Sequence, residues 1–236
     1  MNEMVSEKKV RINYYQFRIT RLQASACAAL AISSALSSFF TVYLSEMPTE
    51  SIVPYFSYFS FTALYLPLFL LADYSSFVYL SDILVVTRMS QTQRIRYSLG
   101  SSIKTSLLCC MPVAAAGGVF QWMTTGRLPI EKHLFITLLV GLWFWTVGML
   151  SRCLQLLTDH YSVVFSLIML VAAGEIYVLP YMPQPWNSGI LMLPLFRTEP
   201  NLSMIIYFTA CSLMLSVLLI FLKNKPREYL RRNKDD

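Results

Sequence analysis

The chain has 236 residues, of which 56% are apolar and only 14% are charged, and its mean hydropathy is +0.52. Soluble domains carry about 25% charged residues, so this composition excludes an ordinary soluble protein and predicts an integral membrane protein. The net charge of +6 does not indicate nucleic-acid binding. Its cations lie in short blocks beside apolar stretches, where anionic lipid headgroups are the natural counter-ions.

The first 23 residues form a basic segment in which Ile12, Tyr15, Ile19 and Leu22 recur at steps of three and four. This spacing favours an amphipathic helix lying flat at the inner interface, although a basic anchor with no further role would have a similar composition. The segment does not fit a cleavable signal, because its basic region is too long and the apolar stretch after it is long enough to span.

Residues 24–222 predict a single transmembrane domain of the all-α class, followed by a basic cytoplasmic tail at 223–236. A helix needs about 20 largely apolar residues to cross a bilayer. Six stretches have this length: 24–44, 54–72, 105–123, 133–151, 161–180 and 203–222. Six crossings return both termini to the same side.

The distribution of Lys and Arg predicts that both termini are cytoplasmic, since short loops rich in these residues resist translocation. With the N-terminus inside, 16 of the 19 basic residues lie in inner segments, Arg152 among them. The outer loops then hold only Arg127, Lys132 and Arg197.

The inner loop 73–104 carries the most information, because it places four basic residues and a polar turn between two spans. An apolar helix over 76–86 is too short to span and is expected to lie against the inner surface or to pack on a neighbouring subunit. Ser90 fits the N-cap of a following short helix. Alternatively, the whole loop is a solvated connection whose charges only enforce the topology.

Asp73 and the run Leu84-Val85-Val86-Thr87-Arg88-Met89-Ser90-Gln91-Thr92-Gln93 resemble a motif of the membrane subunits of type-2 ABC transporters of the exporter class. In that family an acidic residue follows the second span, and a short helix with a Leu-x-x-Thr-Arg-x-Ser-x-x-Gln pattern leads into the third. The layout is also similar: six spans, cytoplasmic termini, a basic elbow helix before the first span and a partly re-entrant outer segment.

The resemblance implies that two permease subunits, identical or related, pair around a translocation path in a bacterial cytoplasmic membrane. The chain has no G-x-x-x-x-G-K-[ST] loop for nucleotide phosphates. ATP and Mg²⁺ are therefore expected on a separate ABC-type ATPase, and this chain is expected to need no cofactor. By the same resemblance, the surface that couples to the ATPase comprises Asp73, Arg88, Ser90, Gln93 and Arg94.

The outer segment 181–202 is apolar but interrupted by prolines such as Pro183, Pro185 and Pro194. Proline breaks any long helix, and the apolar side chains predict that the segment dips into the interface.

Glu175 is the chief ionisable residue inside a predicted span, the fifth, in its outer half. A carboxylate at that depth costs a few kcal/mol unless it is hydrated, paired or protonated. It is therefore a candidate for gating or substrate contact, unless it lies close enough to the outer interface to reach water.

The remaining reactive residues do not assemble a catalytic or metal site in the sequence. The five cysteines lie in or beside spans without metal-ligand spacing, and read as small packing residues. His133 and His160 fall near opposite faces of the membrane, so they cannot share one centre. Asp159 beside His160 reads as a solvated loop pair in preference to a proton relay.

Other small and aromatic residues fit helix packing and an interfacial belt. The packing residues are Gly117, Gly118, Gly141 and Gly148, and the belt residues are Trp122, Trp143, Trp145 and Trp186.

These observations favour a permease subunit of an ATP-driven exporter for a hydrophobic or amphipathic substrate, such as an antimicrobial peptide, a drug or a lipid. The alternative is a stand-alone membrane immunity or assembly protein that acts by binding and needs no ATPase. An intramembrane enzyme would need paired catalytic groups at one depth, which the sequence does not offer.

Overall fold

The computed structural model describes residues 19–44, 60–81, 90–126, 130–158, 160–182 and 202–224, and all of the regular structure in these ranges is helical. The helices are α1 (Arg21–Leu44), α2 (Leu66–Ser81), α3 (Gln91–Thr125), α4 (Ile130–Thr158), α5 (Tyr161–Tyr177) and α6 (Leu202–Asn224). A π-helical turn, Ser60–Tyr65, leads directly into α2, and a short 3₁₀ turn, Leu179–Tyr181, follows α5. The predicted all-α class is confirmed for these residues.

Four of the described helices are long and apolar enough to cross a membrane, over Arg21–Phe39, Ile95–Met123, His133–Thr158 and Leu202–Leu222. The apolar helix α5 has 17 residues and is shorter than a full crossing. The predicted second span begins outside the described residues, and its described part, 60–72, is helical. Two further predictions lie mostly outside the described residues. The interfacial helix within residues 1–23 is described only from Ile19, and Arg21–Gln23 already belong to α1. The outer segment 181–202 is described only at 181, 182 and 202.

Hydrogen bonds and close contacts fix the relative directions of the helices. α4 is antiparallel to α3, because Arg152 meets Ser98 near one end and Gly118 meets His133 near the other. α1 runs parallel to α3, and α2, α4 and α6 run in the opposite direction. We call the end at which α1 begins and α4 finishes the inner end, after the predicted orientation.

The core lies between α2 and α4 and contains several large aromatic side chains. Phe61 packs edge-on against Trp143 at a ring separation of 5.1 Å, and Phe69 stacks on Phe144 at 4.7 Å. Trp143 is fully buried, so its predicted place in an interfacial belt is wrong. Trp122 is 59% exposed and Trp186 lies outside the described residues.

Glycine permits close approach at two of the positions predicted for helix packing. A Cβ at Gly148 would lie 2.8 Å from Ser102 Oγ, and a Cβ at Gly118 would lie 2.7 Å from His133 Cε1. Both separations are shorter than side chains normally allow, so a larger residue at either position would have to displace the facing side chain, and these glycines let α3 and α4 pack closely.

Pro112 lies inside α3, and the backbone carbonyl that it deprives of a helical donor is hydrogen-bonded by another helix. Proline has no N–H, so the carbonyl of Leu108, four residues earlier, loses its helical donor. Cys27 on α1 supplies the replacement, since its Sγ lies 3.3 Å from Leu108 O. Unsatisfied carbonyls are costly in hydrocarbon, so this thiol supports the α1–α3 contact.

The loop between the second and third spans differs from its predicted structure. Residues 76–81 continue α2 without a break, so a separate surface helix beginning at 76 is wrong. The helix α2 continues past Asp73 because the Asp73 carboxylate is paired with Arg152 inside the protein and the residues on both sides of it include apolar ones. Residues 82–89 lie outside the described residues.

Candidate functional site

An ion pair between Asp73 on α2 and Arg152 on α4 lies inside the helix bundle near its inner end. Arg152 Nη2 lies 2.7 Å from Asp73 Oδ1, and Ser151 Oγ donates to Asp73 Oδ2 at 2.7 Å. The Arg152 side chain is only 8% exposed, and the Asp73 side chain is only 2% exposed. Both carboxylate oxygens are thus satisfied by side chains of α4, as burial of a charge requires.

The same arginine also binds α3. Arg152 Nη1 donates to Ser101 Oγ at 2.7 Å, to Ser98 Oγ at 3.3 Å and to the Ser98 carbonyl. The planar guanidinium has five donors in a fixed fork, which lets one side chain contact two helices at once. Arg152 therefore links Asp73 on α2 to Ser98 and Ser101 on α3, the two helices that flank residues 82–89.

Further polar contacts surround the ion pair and reach the other helices. Gln23 on α1 donates to Thr105 Oγ1 at 3.3 Å, and Thr20 Oγ1 donates to Ser75 Oγ at 3.0 Å. On the opposite side, Tyr161 Oη donates to the Leu70 carbonyl at 2.5 Å. We call Gln23, Asp73, Ser98, Ser101, Ser151 and Arg152 the inner polar layer, and its members come from α1, α2, α3 and α4.

The inner polar layer lies where the predicted spans end, since Asp73 and Arg152 directly follow the second and fourth apolar stretches. Ionisable residues at such depth are usually functional, because hydrocarbon penalises them. Arg152 Nε and Gln155 Nε2 are buried and lack hydrogen-bond partners among the described residues.

Just outside the layer, Ser90 caps α3 as the sequence predicts. Ser90 Oγ accepts from Gln93 N at 3.3 Å, while Gln93 Oε1 accepts from Ser90 N at 2.9 Å. This reciprocal capping box satisfies two backbone donors and fixes the direction in which the chain enters the helix. The helix that it starts is not short, however, because α3 continues for 35 residues into the third span.

The residues assigned to the coupling surface are thus separated in the structure. Ser90 and Gln93 are exposed at the start of α3, and Arg94 belongs to the same first turn. Asp73 is buried, which does not fit direct contact with a partner, so its role in coupling would be indirect. Arg88 lies outside the described residues.

Glu175 is also buried, with 4% of its surface exposed. It belongs to the packed face of α5, whose buried residues recur at three- and four-residue steps from Val164 through Ile168 and Ala172. Within this chain its side chain interacts electrostatically with Tyr207 on α6. It does not extend to an exposed surface of the described residues, as a carboxylate reaching water at the interface would.

Sequence reasoning missed the contacts of Arg152, because it uses this residue only as a cation that sets topology. A signal was present: Asp73 and Arg152 are single opposite charges at the ends of two spans on the same predicted side. Ser98 and Ser101 could not be found in this way, because serines are common in membrane helices and carry no charge.

The cysteines and histidines behave as helix-packing residues in the described structure. All five cysteines are free thiols, and Cys109, Cys110 and Cys153 are buried. His133 lies against Gly118 on α3, whereas His160 is the N-cap of α5. The described residues contain no group of three or more His, Cys, Asp or Glu side chains placed to hold a metal ion.

Comparison of the chain with protein-family models, curated proteins and solved structures finds no match.

Proposed function

We propose that the chain is the membrane subunit of an ATP-driven exporter for a hydrophobic or amphipathic substrate, and that its ATPase is a separate polypeptide. In this proposal two such subunits form the translocation path in a bacterial cytoplasmic membrane. The proposal rests on the resemblance of loop 73–104 to the exporter-class permeases and on the arrangement of the inner polar layer.

The observation that carries the proposal is the double attachment of Arg152 to Asp73 and to Ser98 and Ser101. The two helices that flank residues 82–89, α2 and α3, are both held on α4 by this one side chain. A force applied to the loop by a soluble partner would reach α2, α3 and α4 together. Arg152 is thus a positioning residue, and it would couple the loop to the spans without touching the ATPase.

The capped start of α3 supplies the second part of the argument. The capping box of Ser90 and Gln93 fixes the start of α3, and Arg88 and Arg94 are its basic neighbours in the sequence. Cations close in sequence to a defined helix start favour association with an acidic surface of a partner. Asp73, being buried, contributes to coupling only by holding Arg152.

The test is purification of the tagged full chain from its native host in mild detergent, followed by mass spectrometry of the co-purifying proteins. We expect a stoichiometric ABC-type ATPase with the wild type and its loss in the double variant Arg88→Glu/Arg94→Glu. The matched control, Arg127→Glu/Lys132→Glu, reverses two charges on the predicted outer side and should retain the ATPase.

If no ATPase accompanies a folded wild-type protein, the exporter proposal is wrong and the stand-alone immunity or assembly protein is favoured. If the ATPase remains bound to the charge-reversed variant, the transporter class survives but loop 73–104 is not the coupling surface.

Glu175 is proposed to act in gating or substrate contact, because its side chain is buried on α5 and interacts with Tyr207 on α6, so motion of either helix would change its surroundings. We expect Glu175→Gln to assemble with the ATPase normally but to export poorly. Glu131→Gln, which alters an exposed carboxylate at the start of α4, is the control and should export normally. Wild-type export by Glu175→Gln would rule out this role.

A further inference from the structure

Two cysteines face each other where α1 packs against α3. Gln23 Nε2 donates to Thr105 Oγ1 at 3.3 Å, so these parallel helices pair residues that are 82 positions apart. One helical turn further along both helices, the same offset pairs Cys27 with Cys109. The two thiols hydrogen-bond to each other. The structure thus contains a dithiol formed by residues of two different spans.

The two helices approach closely beside this dithiol. Cys27 Sγ lies 3.3 Å from the backbone carbonyl oxygen of Leu108, so a short side chain of α1 reaches the main chain of α3. Further along, Ser34 Oγ donates to the Val113 carbonyl at 3.0 Å. A disulfide requires Cβ atoms within roughly 3.5–4.5 Å of each other. Close packing through short side chains is the arrangement that favours such a separation.

The two thiols differ in their exposure. Cys109 is fully buried, whereas Cys27 is half-buried and its neighbour Ala28 on α1 is exposed. Both cysteines lie inside helices that are long and apolar enough to cross a membrane, Arg21–Phe39 and Ile95–Met123. A reagent that reaches Cys27 along this face of α1 therefore comes through the lipid and not from water.

The hydrogen bonds give the two sulfurs different properties. The Cys27 S–H is directed to the Leu108 carbonyl, so the bond between the thiols is donated by Cys109. A donor aimed at the Cys27 sulfur stabilises the negative charge that develops there as the thiol loses its proton. This arrangement favours Cys27 as the sulfur that attacks an oxidant and Cys109 as the resolving thiol beside it.

We propose that Cys27 and Cys109 form a modification site at which a lipid-soluble quinone converts the two thiols to a disulfide. The Cys27 sulfur bonds to a carbonyl carbon of the quinone, and the Cys27 proton passes to a quinone oxygen. The Cys109 sulfur then bonds to the Cys27 sulfur, and the bond from Cys27 to the ring breaks with its electron pair remaining on the ring. The Cys109 proton completes the quinol, so the two electrons lost by the sulfurs reduce the quinone.

This reaction would change the contact between α1 and α3 in two ways. The disulfide holds the two spans together covalently. The Cys27 sulfur no longer carries a hydrogen, so the Leu108 carbonyl loses the donor that replaces the missing N–H of Pro112. The inference requires only that α1 and α3 cross a membrane, and it is independent of the proposed exporter function.

A soft metal ion is a poorer occupant of the dithiol than a disulfide bond. Cu⁺ prefers thiolate ligands, but two thiolates around one monovalent cation leave a net negative charge, which is costly to bury in hydrocarbon. Zn²⁺ needs further ligands. The described residues contain no group of three or more His, Cys, Asp or Glu side chains placed to supply them. A disulfide carries no charge and needs no additional partner.

Oxidation by decylubiquinone in lipid vesicles tests the proposal. The full chain is reduced, reconstituted in phosphatidylcholine vesicles and exposed to the quinone, and its free thiols are then counted in denaturant by the gel shift with maleimide-polyethylene glycol. We expect two of the five thiols to become unreactive and to be recovered with dithiothreitol. At equal concentration, the water-soluble oxidant diamide should react several-fold more slowly.

Single cysteine variants identify the two sulfurs. Cys27→Ser and Cys109→Ser should each keep all of their remaining thiols free, and Cys27→Ser retains a donor to the Leu108 carbonyl. Cys110→Ser is the matched control and should form the disulfide as the wild type does, because the Cys110 thiol donates to the Thr137 carbonyl on α4. Thermal unfolding in detergent establishes that each variant is folded.

Absence of a quinone-dependent disulfide in the folded wild type would overturn the proposal. A disulfide that persists in Cys27→Ser, that is lost in folded Cys110→Ser, or that joins two copies on a non-reducing gel would overturn it in favour of another pair of thiols. Faster oxidation by diamide than by the quinone would show that the pair is reached from water, and this would overturn the route through lipid.

Discussion

Arg152 carries a full charge in the interior of a membrane protein, and its surroundings explain how this is tolerated. Asp73 supplies the opposite charge and Ser101 accepts a further hydrogen bond. Such a pair contributes little net stability compared with apolar residues of the same shape, but removal of one partner leaves an unpaired buried charge. Replacing only Asp73 or only Arg152 should therefore destabilise the protein more than replacing both residues together.

We expect Arg152→Met to reduce the free energy of unfolding by about 3–5 kcal/mol, because it leaves the Asp73 carboxylate buried without its partner. The double variant Asp73→Leu/Arg152→Met removes both charges and should lose much less than the sum of the single effects. Denaturant unfolding in mixed micelles measures the cycle. Arg96→Gln, which changes an exposed cation on α3, is the control, and additive effects would contradict the pairing.

Gly148 allows a contact that no other residue could make. A Cβ there would meet Ser102 Oγ at 2.8 Å and Phe69 Cζ at 3.2 Å, so we expect Gly148→Ala to destabilise the protein by about 1–3 kcal/mol. At Gly174 a Cβ meets nothing within 4 Å. Gly174→Ala should stabilise α5 by roughly 0.5–1 kcal/mol through helix propensity. The two melting temperatures, measured in the same detergent, should move in opposite directions.

The helices themselves show which properties a sequence can predict. The stretches of about 20 apolar residues correctly located α1, α3, α4 and α6, because the thickness of the hydrocarbon core sets the length of a spanning helix. The ends were less accurate: α3 was expected over 105–123 but begins at Gln91, since the capping box of Ser90 and Gln93 stabilises the polar first turns. The continuation of α2 through Asp73 depended on the partner Arg152, which lies 79 positions away and left no local signal.

The α1–α3 contact gives a prediction at the level of helix pairs. Cys27→Val removes the donor to the Leu108 carbonyl that Pro112 leaves free, and we expect a loss of about 1 kcal/mol. Cys27→Ser keeps a donor and should cost less. In a Pro112→Ala background α3 supplies its own N–H, so Cys27→Val should then cost almost nothing. Equal losses in the two backgrounds, measured by unfolding in micelles, would show that the thiol acts by packing alone.

Among the described helices, α1 and α3 run opposite to α2, α4 and α6, and the aromatic side chains of Phe61, Phe69, Trp143 and Phe144 belong to one buried cluster. The candidate site could be predicted only in part. The motif located Ser90 and Gln93 at the start of a helix, but Asp73 was assigned to a surface and Trp143 to a lipid interface. Both are interior because their partners, Arg152 and Phe61, come from distant positions that no local pattern reveals.

The basic residues also predict the orientation of the chain in the membrane. Alkaline phosphatase fused after Arg127 should be active, because that loop is expected outside, whereas fusion after Met89 should leave it inactive. Green fluorescent protein fused after Asp236 should fluoresce in the cytoplasm. The reverse pattern would invert the predicted topology and place loop 73–104 where no ATPase could reach it.

Arg152 joins α2 and α3 to α4, and this has a consequence for how the interval between α2 and α3 can vary. Since the guanidinium holds Asp73 and Ser98 directly, the spacing of these helices does not depend on residues 82–89. Insertions, deletions or exchanges within that interval should therefore leave the described helices folded as before. Under the proposed exporter function, the same changes should redirect the choice of ATPase.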